Sequence, residues 1–541
     1  MTTRDTTHRT PVLTDTALAS SAGLVGSATM ISRLLGLARD QVFAYLFGAN
    51  NAMDAFYVAF RIPNLFRDLF AEGAMNAAFV PTFTRQLTRY GKDQAWKLAN
   101  NVINTLAIST GLLVIIGIVS AGPLITFLAS DYANVPGKLE LTALLTKITL
   151  PFLTFIAIAA AFMGMLNSLQ RFFIPALSPA MFNISTIFCA FALVPVMPKF
   201  GLAPITAIAI GTLVGGLGQL VIQWPALRRE GYRYRPVLNL GDQPLRDVLT
   251  LMGPGILGVA ATQINLLVNL ILATGEGTGA VSWLNYSFRL VYLPIGLFGV
   301  SIATVALPII SKHAALEKLS NVRSTVSNGL RLMLVLNIPA AIGLIVIALP
   351  IVQLIFERGN FTPSDTAATA AALIFYSPGL IGYSAVKIIA PTFYALRDSR
   401  TPVLVSVGTM IFNITINMIL IRVIGYKGLA LGTSIAALLN ASVLFWLLRN
   451  RLGGLEEMLI GRTLLKTLIA SAIMGLTAAV VSQQLELLFP GTDFVLQLIR
   501  ILITIASGLI SLGVTARILK IQELNNAVLL LLAKFQTRRT D

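Results

Sequence analysis

Arg33 and Arg39, in ISRLLGLARDQVF (31–43), and Arg61 and Arg67, in MDAFYVAFRIPNLFRD (53–68), lie inside runs apolar enough to enter a bilayer. A guanidinium is planar, permanently charged and carries a fork of donors, so it suits two-pronged recognition of phosphate or carboxylate. Several of them converging on one cavity suit a diphosphate, whose negative charge is spread over many oxygens. Arg289, in VSWLNYSFRLVYLPIGLFG (281–299), adds another, with Ser282 seven residues earlier, two turns away on the same helix face. Asp40, Asp54, Asp68 and Glu72 stand near the first group, so internal ion pairing is the competing explanation. Against it, Arg39–Asp40 and Arg67–Asp68 are chain neighbours, which on a helix do not face each other; the role of Asp40 stays open between pairing with an arginine and shaping a gate.

Other chemistries have little to build on. There is one cysteine, Cys189, and two histidines, His8 and His313, so no disulfide, zinc site or histidine base is expected. No GxxxxGK[ST] phosphate loop occurs, which argues against ATP hydrolysis by this chain. An enzyme reading finds no residues, and no cofactor is expected.

The elements that must hold these arginines are membrane helices. The 541 residues are 56% hydrophobic and 12% charged, with a mean hydropathy of +0.79, against roughly 25% charged in soluble domains. Scanning for runs of about 20 apolar residues predicts an all-α polytopic protein of fourteen spans. They lie near 17–47, 54–84, 98–127, 139–164, 172–196, 202–227, 247–273, 279–311, 332–356, 366–396, 402–421, 428–448, 463–483 and 494–516. The first twenty residues lack a signal peptide's order, so the first span is expected to direct insertion.

Odd-numbered gaps between spans hold only Lys138, Lys199, Arg358, Arg422 and Lys427, whereas even-numbered gaps and both termini hold most of the 40 Lys and Arg. This asymmetry puts both termini in the cytoplasm and explains the net charge of +17 as topology rather than a nucleic-acid face. Within spans fall Arg33, Arg39, Arg61, Arg67, Lys147, Arg289, Lys387 and Arg500, each costing about 2.5–3.5 kcal/mol at a helix centre. Snorkelling to a surface accounts for Lys147, Lys387 and Arg500. It fails for Arg33, about 24 Å along its helix, which is expected to face a water-filled cavity. Spans seven to twelve hold no carboxylate well inside the membrane, which disfavours a drug or cation antiporter.

The chain also repeats. FNIST (182–186) recurs as FNITI (412–416), and GLAPITAIAIGTLVGGLGQLVIQWPALRREG (201–231) corresponds to GLALGTSIAALLNASVLFWLLRNRLGG (428–454). The offset, about 230 residues or six spans, is even, so both copies share one orientation, as in transporters built from parallel repeats. The expected organisation is a cytoplasmic tail (1–16), a first six-helix lobe (17–231), a second (232–454), two added helices (455–519) and an amphipathic cytoplasmic tail (520–541).

SRLLGLARD (32–40), MDAFYVAFRIPNLFRDLFAEGAMNAAFVP (53–81), SWLNYSFRLVYLPIGLFGVSIATVALP (282–308) and APTFYALRDSRTPV (390–403) resemble the MurJ (MviN) lipid II flippases. These belong to the multidrug, oligosaccharidyl-lipid and polysaccharide exporter superfamily. The resemblance implies alternating-access transfer of undecaprenyl-diphosphate-linked peptidoglycan precursor across the bacterial cytoplasmic membrane, required for cell-wall synthesis. Expected partners are lipid II, membrane lipid, and proteins of cell-wall synthesis or division. By motif, Arg33, Arg39, Arg67 and Arg289 match the family's cavity arginines, Asp54 an acidic position at the periplasmic start of the second span, and Ser282 a position near the cavity or gate; the resemblance implies that these six bind substrate. Asp40, Arg61 and Glu72 are candidates for a gate or secondary role. Some relatives resemble a sodium site whose positions here are Asn269, Asn413, Asn417 and Thr433, with both acids become amides. The alternatives are an exporter of another undecaprenyl-linked saccharide, an antiporter, and a non-transporting scaffold.

Overall fold

The computed structural model describes residues 15–69, 75, 78–491 and 493–523; side chains are described from residue 26 on, apart from 254, 255, 257 and 258. Glu72 and the tail beyond residue 523 lie outside the described residues. Every regular element among the described residues is helical. In order these are α1 (Asp15–Phe47), α2 (Asn51–Arg67), α3 (Val80–Val119), α4 (Ala121–Leu128), α5 (Lys138–Thr149), α6 (Phe152–Ser168), α7 (Phe173–Leu193), α8 (Thr206–Arg229), α9 (Gln243–Thr274) and α10 (Ala280–Pro294). There follow α11 (Val300–Ala315), α12 (Leu319–Val346), α13 (Ala348–Phe356), α14 (Pro363–Tyr376), α15 (Gly379–Ala395), α16 (Arg400–Ile424), α17 (Tyr426–Leu452), α18 (Glu457–Leu488) and α19 (Phe494–Ile518).

Among the described residues, ten helical stretches are long and apolar enough to cross a membrane, and an eleventh if α14 and α15, bent by 45°, count as one span. Three further helices cover spans expected from the sequence: α1, which carries Arg33, Arg39 and Asp40; α2, which packs Asp54, Arg61 and Arg67 into 17 residues; and α9, whose described residues include the apolar stretch Val259–Thr274.

The helices form two compact units. One comprises residues up to Val42, Ala59–Leu124 and Ala143–Val259; the other comprises Phe43–Val58, Ile125–Thr142 and Ala260 onward. In the first, the core is aromatic: Phe79, Phe83, Trp96, Phe162 and Tyr232 are buried and joined by ring contacts 5.3–6.2 Å between centroids. α7 and α8 approach nearly backbone to backbone, since a Cβ on Gly215 would stand 3.0 Å from the Phe182 Cα. Such small-residue contacts drive helix association where lipid removes the hydrophobic incentive. Gly91, at φ 81°, breaks α3 into two helical stretches.

The second stretch of α3 carries an asparagine ladder. Asn100, Asn101 and Asn104 donate from Nδ2 to the carbonyls of Arg233, Asn239, Arg235 and Val237, at 2.8–3.2 Å. Their Oδ1 atoms accept from the Arg235 and Asn239 amides and the Tyr232 and Tyr234 hydroxyls. The extended segment between α8 and α9 is thus shaped by side chains of another element, which meet the backbone groups a strand partner would otherwise meet.

In the second unit, a core of Val322, Val326, Leu330, Met333, Ile388, Phe393, Leu444 and Leu448 joins α12, α15 and α17. Arg331 on α12 forms a largely buried ion pair with Glu523, beyond α19. α10 is followed by a π turn at Ile295–Gly299, a feature that often sits at functional positions.

Candidate functional site

In the first unit α1 and α2 hold the charges. Arg39 donates from Nε and Nη2 to Asp40 Oδ1 at 3.1 and 2.7 Å, and Arg67 does the same to Asp68 Oδ1 at 3.0 and 2.7 Å. Internal pairing, the competing explanation, is thus formed in both places, and the neighbour argument against it does not hold. The neighbour rule concerns directions at Cβ, whereas a guanidinium reaches far enough along its flexible stem to fold back around the helix onto the next residue. Each arginine sends both donors to a single carboxylate oxygen, so neither pair is the fork-to-fork arrangement that saturates both groups. Arg39 also lies 5.4 Å from the centre of the Phe182 ring, a cation–π contact with the repeated FNIST motif. Asn183 of that motif donates to the Ser32 carbonyl at 3.1 Å, anchoring α1 beside Arg33. Arg33 is half-buried and forms no ion pair among the described residues. Arg61 is half-buried on α2.

In the second unit Asp54 is wholly buried and gathers its donors at the start of α10. The Gly279 amide lies 2.7 Å from Oδ2, and the Ser282 amide and hydroxyl lie 3.0 and 2.7 Å from Oδ1. A carboxylate that takes the first free amides of a helix serves as its N-cap, supplied here from α2. Asp54 and Ser282, singled out separately in the sequence, meet here. α10 is held from its other side as Trp283 Nε1 donates to Asp365 at 2.9 Å, the residue that closes the capping box of α14. Arg289 lies half-buried two turns along α10 from Ser282.

Sequence reasoning missed a residue here. Lys138 Nζ lies 3.2 Å from Asp54 Oδ2 and 2.9 Å from Asn51 Oδ1, with its side chain only 3% exposed. A signal existed: Lys138 stands in a gap otherwise poor in cations.

The residues at the sodium-like position come together as well. Asn417 Nδ2 donates to Asn269 Oδ1 at 2.8 Å and to Asn413 Oδ1 at 3.1 Å, and Asn269 Nδ2 donates to Thr433 Oγ1 at 3.4 Å. The Thr433 hydroxyl is itself spent on the Leu429 carbonyl, 2.6 Å away. A sodium ion wants converging oxygens with countercharge, but here an amide NH₂ occupies the centre and both inward carbonyl oxygens accept from it. The donor set does not fit the ion. Gly432 makes the room, since a Cβ there would stand 1.9 Å from Asn417 Oδ1. Among the described residues no cluster of three or more His, Cys, Asp or Glu could hold a metal.

Comparison with known proteins places the chain. Residues 43–499 match the family described as lipid II flippase MurJ. A probable lipid II flippase MurJ of Vibrio cholerae is 38% identical over 435 residues, covering 79% of this chain and 82% of that protein. A solved structure described as "Lipid II flippase MurJ, inward closed conformation" superposes with a TM-score of 0.76 at 29% identity, covering 92% of this chain and 99% of that one. An inward-facing multidrug resistance MATE family transporter of the MOP superfamily shares the fold, with a TM-score of 0.66 at 15% identity over 81% of this chain and 99% of that one. With α1, α2 and α10 carrying the arginines and the match running through nearly all the spans, the chain belongs to the lipid II flippase MurJ family of multi-pass proteins of the bacterial inner membrane.

Proposed function

We propose that this chain is a lipid II flippase that moves the undecaprenyl-diphosphate-linked peptidoglycan precursor from the inner to the outer leaflet, and that arginines receive the diphosphate. Membership of the family carries the activity; the arginines of α1, α2 and α10 carry the assignment of the site. Arg33, Arg39, Arg67 and Arg289 bind the diphosphate, while the sugar-peptide head fills the cavity and the polyprenyl tail stays in lipid. Arg39 and Arg67 are held in place by carboxylates that engage one edge of each guanidinium, which orders the side chain before substrate arrives and limits the entropy lost on binding.

In this reading fourteen spans form two six-helix lobes, 17–231 and 232–454, repeated in parallel, with both termini cytoplasmic and two added helices at 455–519. The termini follow from the distribution of Lys and Arg, and the parallel repeat from the even offset between its copies. Asp54 and Ser282 close the extracytoplasmic end. The buried, multiply bonded capping of α10 by Asp54 supports that role, because it joins two elements through a contact that can open as a unit.

The decisive test is lipid II transfer in proteoliposomes. Arg39→Ala and Arg289→Ala are expected to abolish transfer while the protein still inserts and melts within a few degrees of wild type. Wild-type transfer in both variants would overturn the arginine site.

A further inference from the structure

Lys138 opens α5, at the edge of a segment where a cation would be expected to meet water, yet its ammonium is enclosed. Among the described residues its nitrogen has three neighbours: Asp54 Oδ2 at 3.2 Å, Asn51 Oδ1 at 2.9 Å and the centre of the Tyr132 ring at 3.9 Å. Two of these belong to the first turn of α2, and the third lies in the short turn just before α5. None belongs to α10. Asp54 divides its oxygens differently: Oδ1 accepts only from Ser282, while Oδ2 is shared between the Gly279 amide and Lys138. Asn51 Oδ1 bridges as well, accepting from Lys138 and from the Thr278 hydroxyl at 2.8 Å.

The cluster can therefore part along one line. If the start of α10 withdraws, Asp54 loses the Gly279 and Ser282 donors and Asn51 loses Thr278, but both keep Lys138. A carboxylate buried without a countercharge is far more costly than a neutral ion pair, so the partner that stays with Asp54 governs the ease of parting. We infer that Lys138 is the positioning residue of this gate: it keeps Asp54 in a neutral unit with α2 and α5, so the carboxylate can leave and rejoin α10 without carrying a bare charge. This rests on reading Asp54 and Ser282 as a gate, and it adds the residue that makes the gate reversible.

The test uses the full chain in proteoliposomes with fluorescent lipid II, comparing maximal transfer rate with the half-saturating lipid II concentration. Lys138→Met is expected to cut the maximal rate per folded, inserted protein at least tenfold and leave half-saturation within twofold, with the inserted amount and the melting temperature measured alongside to separate this from a loss of folding. Asp54→Asn alone strands the ammonium and is expected to slow transfer too. The Asp54→Asn/Lys138→Met protein, with neither charge, is expected to run at least fivefold faster than either single variant. Should Lys138→Met fail to insert, the double variant against Asp54→Asn carries the test alone. Wild-type transfer by Lys138→Met, or a double variant no faster than Asp54→Asn, overturns the role of Lys138. Wild-type transfer by both Asp54→Asn and Ser282→Ala would instead overturn the gate itself.

Discussion

Replacing Asn417 by Asp tests whether the amide cluster stands in for an ion. In the native protein Asn417 is fully buried, and its NH₂ donates to the carbonyl oxygens of Asn269 and Asn413, which lie on α9 and one turn away on α16. The substitution deletes both donors. At about 0.5–1.5 kcal/mol per hydrogen bond, this loses about 1–3 kcal/mol. It also places a carboxylate against two carbonyl oxygens, and the desolvation of a buried ion adds several kcal/mol more. The same change makes the arrangement suitable for sodium: three side-chain oxygens converge with one full negative charge, and Thr433 is at hand. A cation at 100 times its dissociation constant returns about 2.7 kcal/mol. Thermal unfolding of the detergent-solubilised protein, with sodium exchanged for potassium at constant ionic strength, reads both effects. The wild type is expected to melt at the same temperature in either salt. Asn417→Asp is expected to melt lower than wild type in potassium and to recover with rising sodium. A wild-type protein stabilised by sodium in a saturable manner would refute the reasoning, as would an Asn417→Asp protein indifferent to both the substitution and the salt.

The other predictions concern the gate proposed above and the ion pairs of Glu230. Ser282→Ala removes the 2.7 Å hydroxyl bond to Asp54 and leaves the amide bond from the same residue. A hydrogen bond to a charged group is worth about 1.5–3 kcal/mol, so the equilibrium constant for closing the proposed gate should fall about 10- to 150-fold, seen as at least a fivefold loss in lipid II transfer rate. Glu230, just past α8, is drawn upward by partial burial, but the hydrogen bonds from Lys92 and Arg171 outweigh this and hold its carboxyl below the ordinary range. A depressed carboxyl contributes stability that is present above its unfolded value, about 4.3, and is lost as pH falls through its folded value. Glu230→Gln should therefore lower the melting temperature at neutral pH, with the gap from wild type closing below about pH 4.

Much of the candidate site is legible from residue types because lipid is an unforgiving solvent. An arginine in a long apolar run, such as Arg33 or Arg289, has few bland explanations, and two asparagines one helical turn apart in a span invite a search for their partners. Asn269, Asn413, Asn417 and Thr433 do meet, as do Asp54 and Ser282. What escaped depends on reach rather than type. The Arg39–Asp40 and Arg67–Asp68 pairs close because a long stem bends around its own helix, which spacing alone does not express. Lys138 escaped for another reason. A lysine between spans reads as a solvated charge, and only the fold brings Asp54, Asn51 and Tyr132 around it.

The asparagine ladder on α3 has a consequence for how this region can change over generations. Because Asn100, Asn101 and Asn104 grip the backbone of the segment that begins at Tyr232, its path is encoded mainly in another helix. Leu238 and Leu240 project outward and are 48% and 59% exposed. Related chains can therefore drift at these outward positions and keep the same path between α8 and α9, so long as the three asparagines persist. The same freedom marks this strap, at Leu238, as a place to carry a fluorescent label or a short tag while leaving the membrane helices untouched.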